Sequence, residues 1–139
     1  MKTCKLLREQ VAAATGSKKA ELVLKNAQIV NVFTQSVETG DIAIEGGYIV
    51  GIGNYEGITE KDLGGAYVCP GFLDGHIHIE SSMTSPGEFE RAVVPHGTIA
   101  VITDPHEIAN VAGTAGIRFM MQSAQKLDLD VYFMCLLPI

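Results

Sequence analysis

Three things are missing from this 139-residue chain, and each closes off a class of function. There is no basic excess: 10 Lys and Arg stand against 16 Asp and Glu, a formal net charge of −6, with an isoelectric point near 5.1. That balance provides no electrostatic footprint for nucleic acid or for an anionic membrane surface, so neither is expected as a partner, and small neutral or cationic ligands stay open. There is no apolar run of the ~20 residues a spanning helix needs, because charge or Gly and Pro interrupt the most apolar stretches. There is no CxxC and no close spacing among Cys4, Cys69 and Cys135, and the N-terminus lacks a signal-peptide pattern. A reduced, cytoplasmic protein is expected, with each cysteine reading as a small buried apolar residue.

What is present suffices for a core: 47% of the residues are hydrophobic and 19% charged, which excludes a disordered chain. Residues 1–19 read as an N-terminal helix, with Cys4, Leu7, Val11 and Ala14 on one face and Gly16 as its cap. Residues 20–69 change to β-branched clusters separated by Asn, Gly and Asp, a small β domain in which Gly46-Gly47 joins two strands as a hairpin. From Pro70 the pattern alternates. A strand is followed by a helix signalled by Ser85 as cap, Pro86 at the first helical position and Glu88 three residues after the cap, with Phe89, Ala92 and Val93 facing inward. Pro95-His96-Gly97 stops it, Thr98 to Thr103 is a buried strand, Ile117, Met120, Met121, Ala124 and Leu127 recur at helical spacing, and Leu129 to Leu137 is again strand-like. This β-α-β-α-β order predicts an α/β fold with a parallel sheet, whose ligands sit at the carboxyl ends of the strands.

Residues 70–82 read PGFLDGHIHIESS. In an extended strand Asp74, His76, His78 and Glu80 share one face, and Leu73, Ile77 and Ile79 pack on the other. A polar face on a buried strand requires water, mutual hydrogen bonds or a metal ion. The His-x-His pair is compatible with a metal site, since two imidazoles at a strand end can point at one divalent ion, and equally with two hydrogen-bonded rim residues. The second polar cluster, Asp104, His106 and Glu107, falls after the next predicted strand and so on the same rim. His96, at a helix stop, reads as a capping or surface residue, and Met120 and Met121 read as core.

PGFLDGHIHIESSM, followed by VVPHGTIAVITDPHEIANVAG, resembles the bacterial adenine deaminases of the amidohydrolase superfamily, and AELVLKNAQIVNVFTQSVETGDIAIEGGYIVGIG resembles their small β domain. The resemblance runs from residue 1 to about residue 134. It implies that residues 70–139 are the first β/α units of a metal-dependent (β/α)8 barrel, preceded by a small β-sandwich-like domain. It implies that His76 and His78 are metal ligands, that Asp104, His106 and Glu107 belong to the active-site rim, and that Glu80 and Ser81 approach it. Asp74 either hydrogen-bonds near the metal shell or stabilises the turn. The implied cofactor is a divalent metal, manganese first, with iron and zinc as alternatives. The implied reaction is hydrolysis of a small-molecule purine, adenine, to hypoxanthine and ammonia by a metal-bound hydroxide, in a family that is expected to be homo-oligomeric. The family's third strand runs on into a Pro-Ser-Cys-Val-Pro-like stretch where this chain has Cys135-Leu136-Leu137-Pro138-Ile139, and the implied catalytic base lies beyond residue 139. A complete barrel takes ~200 residues or more, far longer than the stretch from Pro70 to Ile139. The expectation is therefore an incomplete piece, inactive alone. The alternatives are another amidohydrolase acting on a cyclic amide and a fragment without catalysis.

Overall fold

The computed structural model describes residues 4–134. The chain divides into two compact units, Met1–Pro70 and Gly71–Ile139.

The first unit is built on β1 (Ala20–Asn31), which pairs antiparallel with β2 (Ser36–Glu45); β2 in turn pairs antiparallel with β3 (Tyr48–Gly53). Two strands run parallel to β1: β4 (Gly57–Asp62) and β5 (Tyr67–Val68). Gly46 and Gly47 form the turn between β2 and β3 with φ of 58° and 76°. Two positive φ angles give a turn whose twist matches that of the strands it joins, which is why the Gly-Gly pair sits there. Between Leu24 and Ala27 the β1–β2 register shifts, and Asn26 adopts φ 57°. The buried Asp41 carboxylate satisfies this irregularity: it accepts from the Asn26 N–H (3.1 Å), the Tyr55 N–H (3.3 Å) and Lys25 Nζ (2.5 Å). Burial pushes the Asp41 carboxyl up, but the Lys25 ammonium and the two N–H groups outweigh it and hold the group below its ordinary 3.8. The Lys18 ammonium likewise holds Glu45 below its ordinary 4.5. Among the described residues this unit holds one five-stranded sheet, order β3-β2-β1-β4 with β5 beside β1.

Helix α1 (Cys4–Ala14) forms where expected but turns a different face to the sheet. Gln10 and Ala13 are buried, whereas Leu7 and Val11 are each 54% exposed. The small Ala13 side chain lets the helix approach Val23 and Ala43, and Gln10 Nε2 donates to the Glu45 carbonyl (3.2 Å) beside the Gly46-Gly47 turn. A polar side chain with an acceptor to reach thus takes a place that a hydrophobic count assigns to leucine or valine. The cysteine expectation is also corrected: Cys4 and Cys69 are exposed, and Cys135 lies outside the described residues.

The second unit alternates β6 (Phe72–Ile77), α2 (Pro86–Val93), β7 (Thr98–Thr103), α3 (His106–Ser123) and β8 (Asp130–Phe133). The three strands form one parallel sheet in the order β6-β7-β8. Ile79, Phe89, Val101, Met120 and Leu129 make the core, with Ile79 fully buried. Several local expectations shift. Helix α2 starts at Pro86 as predicted, but the Ser85 side chain makes no capping hydrogen bond, Glu88 pairs with Arg91 (3.2 Å), and Ala92 is exposed. Helix α3 begins at His106, well before the stretch whose spacing signalled it, and bends at Gly113 (φ 59°, ψ −147°), which disrupts the helical phase. It ends at Ser123, so Ala124 and Leu127 lie beyond it, although Leu127 still packs on the core. Met120 is core, while Met121 is half exposed. Leu73, expected on the packed face of its strand, is exposed. The predicted strand over 129–137 is described as Asp130–Phe133; residues 135–137 lie outside the described residues.

Candidate metal centre

The site begins where β6 stops. Asp74 Oδ1 accepts the His76 N–H (3.1 Å), tightening the chain around Gly75 by the side-chain-to-backbone bond characteristic of Asp. The β6–β7 register slips between Asp74 and Ile77 at this point. Ile79 then drops into the core and draws the chain into a 3-10 turn, Ile79–Ser82, closed by Met83 in the left-handed region (φ 56°). The strand therefore ends at Ile77. His78 and Glu80 flank a buried anchor in a turn, and the shared strand face expected for all four polar residues is not what forms.

The end of β7 docks here through its backbone, the Asp104 N–H donating to the Ile77 carbonyl (2.9 Å). His78 Nδ1 lies 2.8 Å from the Asp104 carbonyl oxygen. A carbonyl oxygen only accepts, so Nδ1 carries the proton and Nε2 is left with its lone pair. That Nε2 faces His76 Nε2 at 3.2 Å, with the rings 5.0 Å apart edge to face. The Asp104 carboxylate, itself buried, takes His106 Nδ1 at 3.1 Å, and the His106 ring stands 4.7 Å from that of His78. Asp104 thus orients two imidazoles, one with its carbonyl and one with its carboxylate. One donor atom from each of His76, His78 and Asp104 lies within 4.8 Å of the others, and so does one from each of His78, His106 and Glu107. Two imidazole nitrogens and a carboxylate oxygen, with one imidazole fixed through its second nitrogen, form a donor set that suits a first-row divalent cation.

Two further residues tie this rim together. Ser81 Oγ lies 2.8 Å from each carboxylate oxygen of Glu107, and Glu80 Oε1 accepts the Ile108 N–H (3.2 Å) in the first turn of α3. The predicted site residues at 76, 78, 104, 106 and 107 are therefore brought together, and Glu80 reaches the helix instead of the donor cluster. His96 sits exposed in the turn Val94–His96 that precedes β7, at the opposite end of that strand from Asp104. Beside Asp104 and His106 lies a mostly apolar hollow of about 380 Å³ that also involves Ile117, Met121 and Phe133. The part played by the Asp104 backbone carbonyl was hidden from the sequence, since a carbonyl carries no residue-type signal. The start of α3 at His106 was signalled only by Pro105 and the acidic residue after it.

The Amidohydrolase family profile matches residues 67–137. Among curated proteins the chain is similar to adenine deaminase 2 of Carboxydothermus hydrogenoformans, with 57% identity over 94% of this chain and 23% of that protein. It is similar to the adenine deaminase of Geobacillus kaustophilus, with 58% identity over 92% of this chain and 22% of that protein, and to that of Listeria monocytogenes, with 48% identity over 96% and 23%. The chain spans less than a quarter of the length of these relatives. Among solved structures it is similar to N-acyl-D-glutamate deacylase from Bordetella bronchiseptica, complexed with zinc and a phosphonate inhibitor. That similarity has a TM-score of 0.51 at 21% identity, covers 62% of this chain and 19% of that one, and bears on fold alone.

Proposed function

Because the chain belongs to the amidohydrolase family, we propose that it forms part of a metal-dependent adenine deaminase, which hydrolyses adenine to hypoxanthine and ammonia. The observation that carries the chemistry is the His76–His78 pair: two Nε2 atoms 3.2 Å apart, one of them fixed by the bond of its own Nδ1 to the Asp104 carbonyl. The substrate is supported by the similarity to adenine deaminases over more than nine-tenths of the chain. On this reading unit 2 provides the opening repeats of a (β/α)8 barrel, with the site at the carboxyl ends of β6 and β7, where barrel sites lie. Residues 20–69 provide one layer of a sandwich-like small domain, and residues 1–19 the helix against it.

His76 and His78 hold the ion, manganese first among the candidates, and Asp104 orients the imidazoles and adds negative charge beside them. A divalent ion held there supplies acidity, bringing the ionisation of a water close to neutral pH. His106 and Glu107 form the wall next to it, and Asp74 fixes the turn that aims His76. The proton transfers to the departing ammonia are assigned to a carboxylate elsewhere in the full-length protein. The test is hypoxanthine formation from adenine by the full-length protein, stripped of metal and then reloaded with manganese. Turnover should vanish on stripping and return on reloading, and the 139 residues alone, given the same ion, should form no hypoxanthine. Undiminished turnover in the stripped protein, or none in the reloaded one, contradicts the proposal.

A further inference from the structure

Helix α3 begins without a cap of its own. Its N-cap residue is Pro105, which has no side-chain donor or acceptor, and no side-chain cap bond is made. The Ile108 N–H, third in the helix, is the group that a capping Ser or Asp ordinarily satisfies. Here the acceptor comes from another element: Glu80 Oε1, 28 residues away, at 3.2 Å. One residue further along the same 3-10 turn, Ser81 Oγ reaches the Glu107 carboxylate at 2.8 Å. Both straps run from the turn after His78 to the first turn of α3, which carries His106 and Glu107. Glu80 Oε2 is buried with no hydrogen-bond partner among the described residues. A carboxylate half-satisfied in a buried place is a poor choice for stability alone, where an uncharged acceptor would do.

Resting on the metal-centre reading above, we propose that Glu80 and Ser81 are positioning residues that latch the first turn of α3 onto the end of β6, so that metal affinity depends on two side chains that do not themselves ligate. Ile79, fully buried between His78 and Glu80, makes the latch rigid: a shift of the turn moves a ligand and a strap together. One donor atom from each of His78, His106 and Glu107 lies within 4.8 Å of the others, and hydrogen-bond partners of such donors typically change metal affinity about 10–100-fold when removed. The two straps also differ in what they fix. Ser81 aims the Glu107 carboxylate, and Glu80 seats the helix backbone from which His106 and Glu107 both project.

The experiment measures Co²⁺ and Mn²⁺ dissociation constants of the full-length protein, together with the visible spectrum at saturating Co²⁺ and the thermal midpoint of the metal-free form. Ser81→Ala and Glu80→Ala should each weaken metal binding about 10–100-fold and alter the Co²⁺ bands. Ser81→Thr, which keeps a hydroxyl, and Glu80→Gln, which keeps an oxygen acceptor for the Ile108 N–H, should restore most of the affinity. Glu80→Ala that lowers the thermal midpoint while leaving affinity and spectrum unchanged makes Glu80 a structural cap and overturns the proposal. Should Glu80→Ala fail to fold, Ser81→Ala, at an exposed position, decides the matter: unchanged affinity and spectrum there overturn the latch. His78→Ala serves as the reference. Retained metal in that variant removes the metal-centre reading and the latch with it, whereas lost metal in His78→Ala beside unchanged affinity in both strap variants removes the latch alone.

Discussion

At the scale of single residues, the proposed chemistry turns on which histidines would face an ion and which would not. His76 and His78 converge at 3.2 Å, and the Nδ1 proton of His78 is committed to the Asp104 carbonyl. His96 stands at the other end of β7, exposed. His76→Ala and His78→Ala in the full-length protein should each lose bound metal and at least about 100-fold in turnover, since a ligand contributes both affinity and the acidity of the bound water. His96→Ala should keep both. Elemental analysis alongside hypoxanthine formation checks the three, and full metal content in His78→Ala would remove its assignment. The pairing of His76 with His78 was legible because residue type and a spacing of two carry it. The part of Asp104 was only half legible: its carboxylate is in the sequence, but its backbone carbonyl acts by position alone.

At the scale of elements, the first unit makes a pH prediction. Asp41 satisfies the irregular stretch of β1 around Asn26, and its carboxyl lies below 3.8 in the folded protein, because burial is outweighed by Lys25 and two backbone N–H groups. A depressed folded value means that the stabilisation is complete above the unfolded value and is lost as pH falls through the folded one. The thermal midpoint should therefore fall as the pH drops below the ordinary 3.8 and through the lower folded value, and Asp41→Asn should start lower and fall less steeply there. An identical pH profile for the variant would show that the group carries no linkage. The elements themselves were legible to different degrees. The Gly46-Gly47 hairpin, the start of α2 at Pro86 and the stop at Gly97 rest on backbone chemistry local to those residues, and the structure has them where the sequence put them. The buried face of α1 was misread because Gln10 finds the Glu45 carbonyl, a partner 35 residues away. The start of α3 lay outside the stretch whose spacing signalled the helix, because Glu80, not a neighbour, satisfies its first turn, and because Gly113 breaks the phase on which a spacing argument depends.

At the scale of the whole molecule, parallel order and strand ends do the work. Three parallel strands bring the residues after β6 and β7 to one rim, although 26 positions separate His78 from Asp104. That juxtaposition was legible from the β-α-β pattern, since a parallel crossover returns the chain to the same edge of the sheet. The slip at the end of β6 and the 3-10 turn were not, because they arise from Ile79 seeking the core. Membership of the amidohydrolase family and the similarity to adenine deaminases support the chemistry proposed for this rim. The central claim, that this rim holds the ion, is tested most directly by anomalous diffraction from crystals of the full-length protein loaded with manganese. The strongest anomalous peak should lie within about 2.0–2.3 Å of Nε2 of both His76 and His78, and a peak centred on other residues, or none at this rim, would contradict the claim.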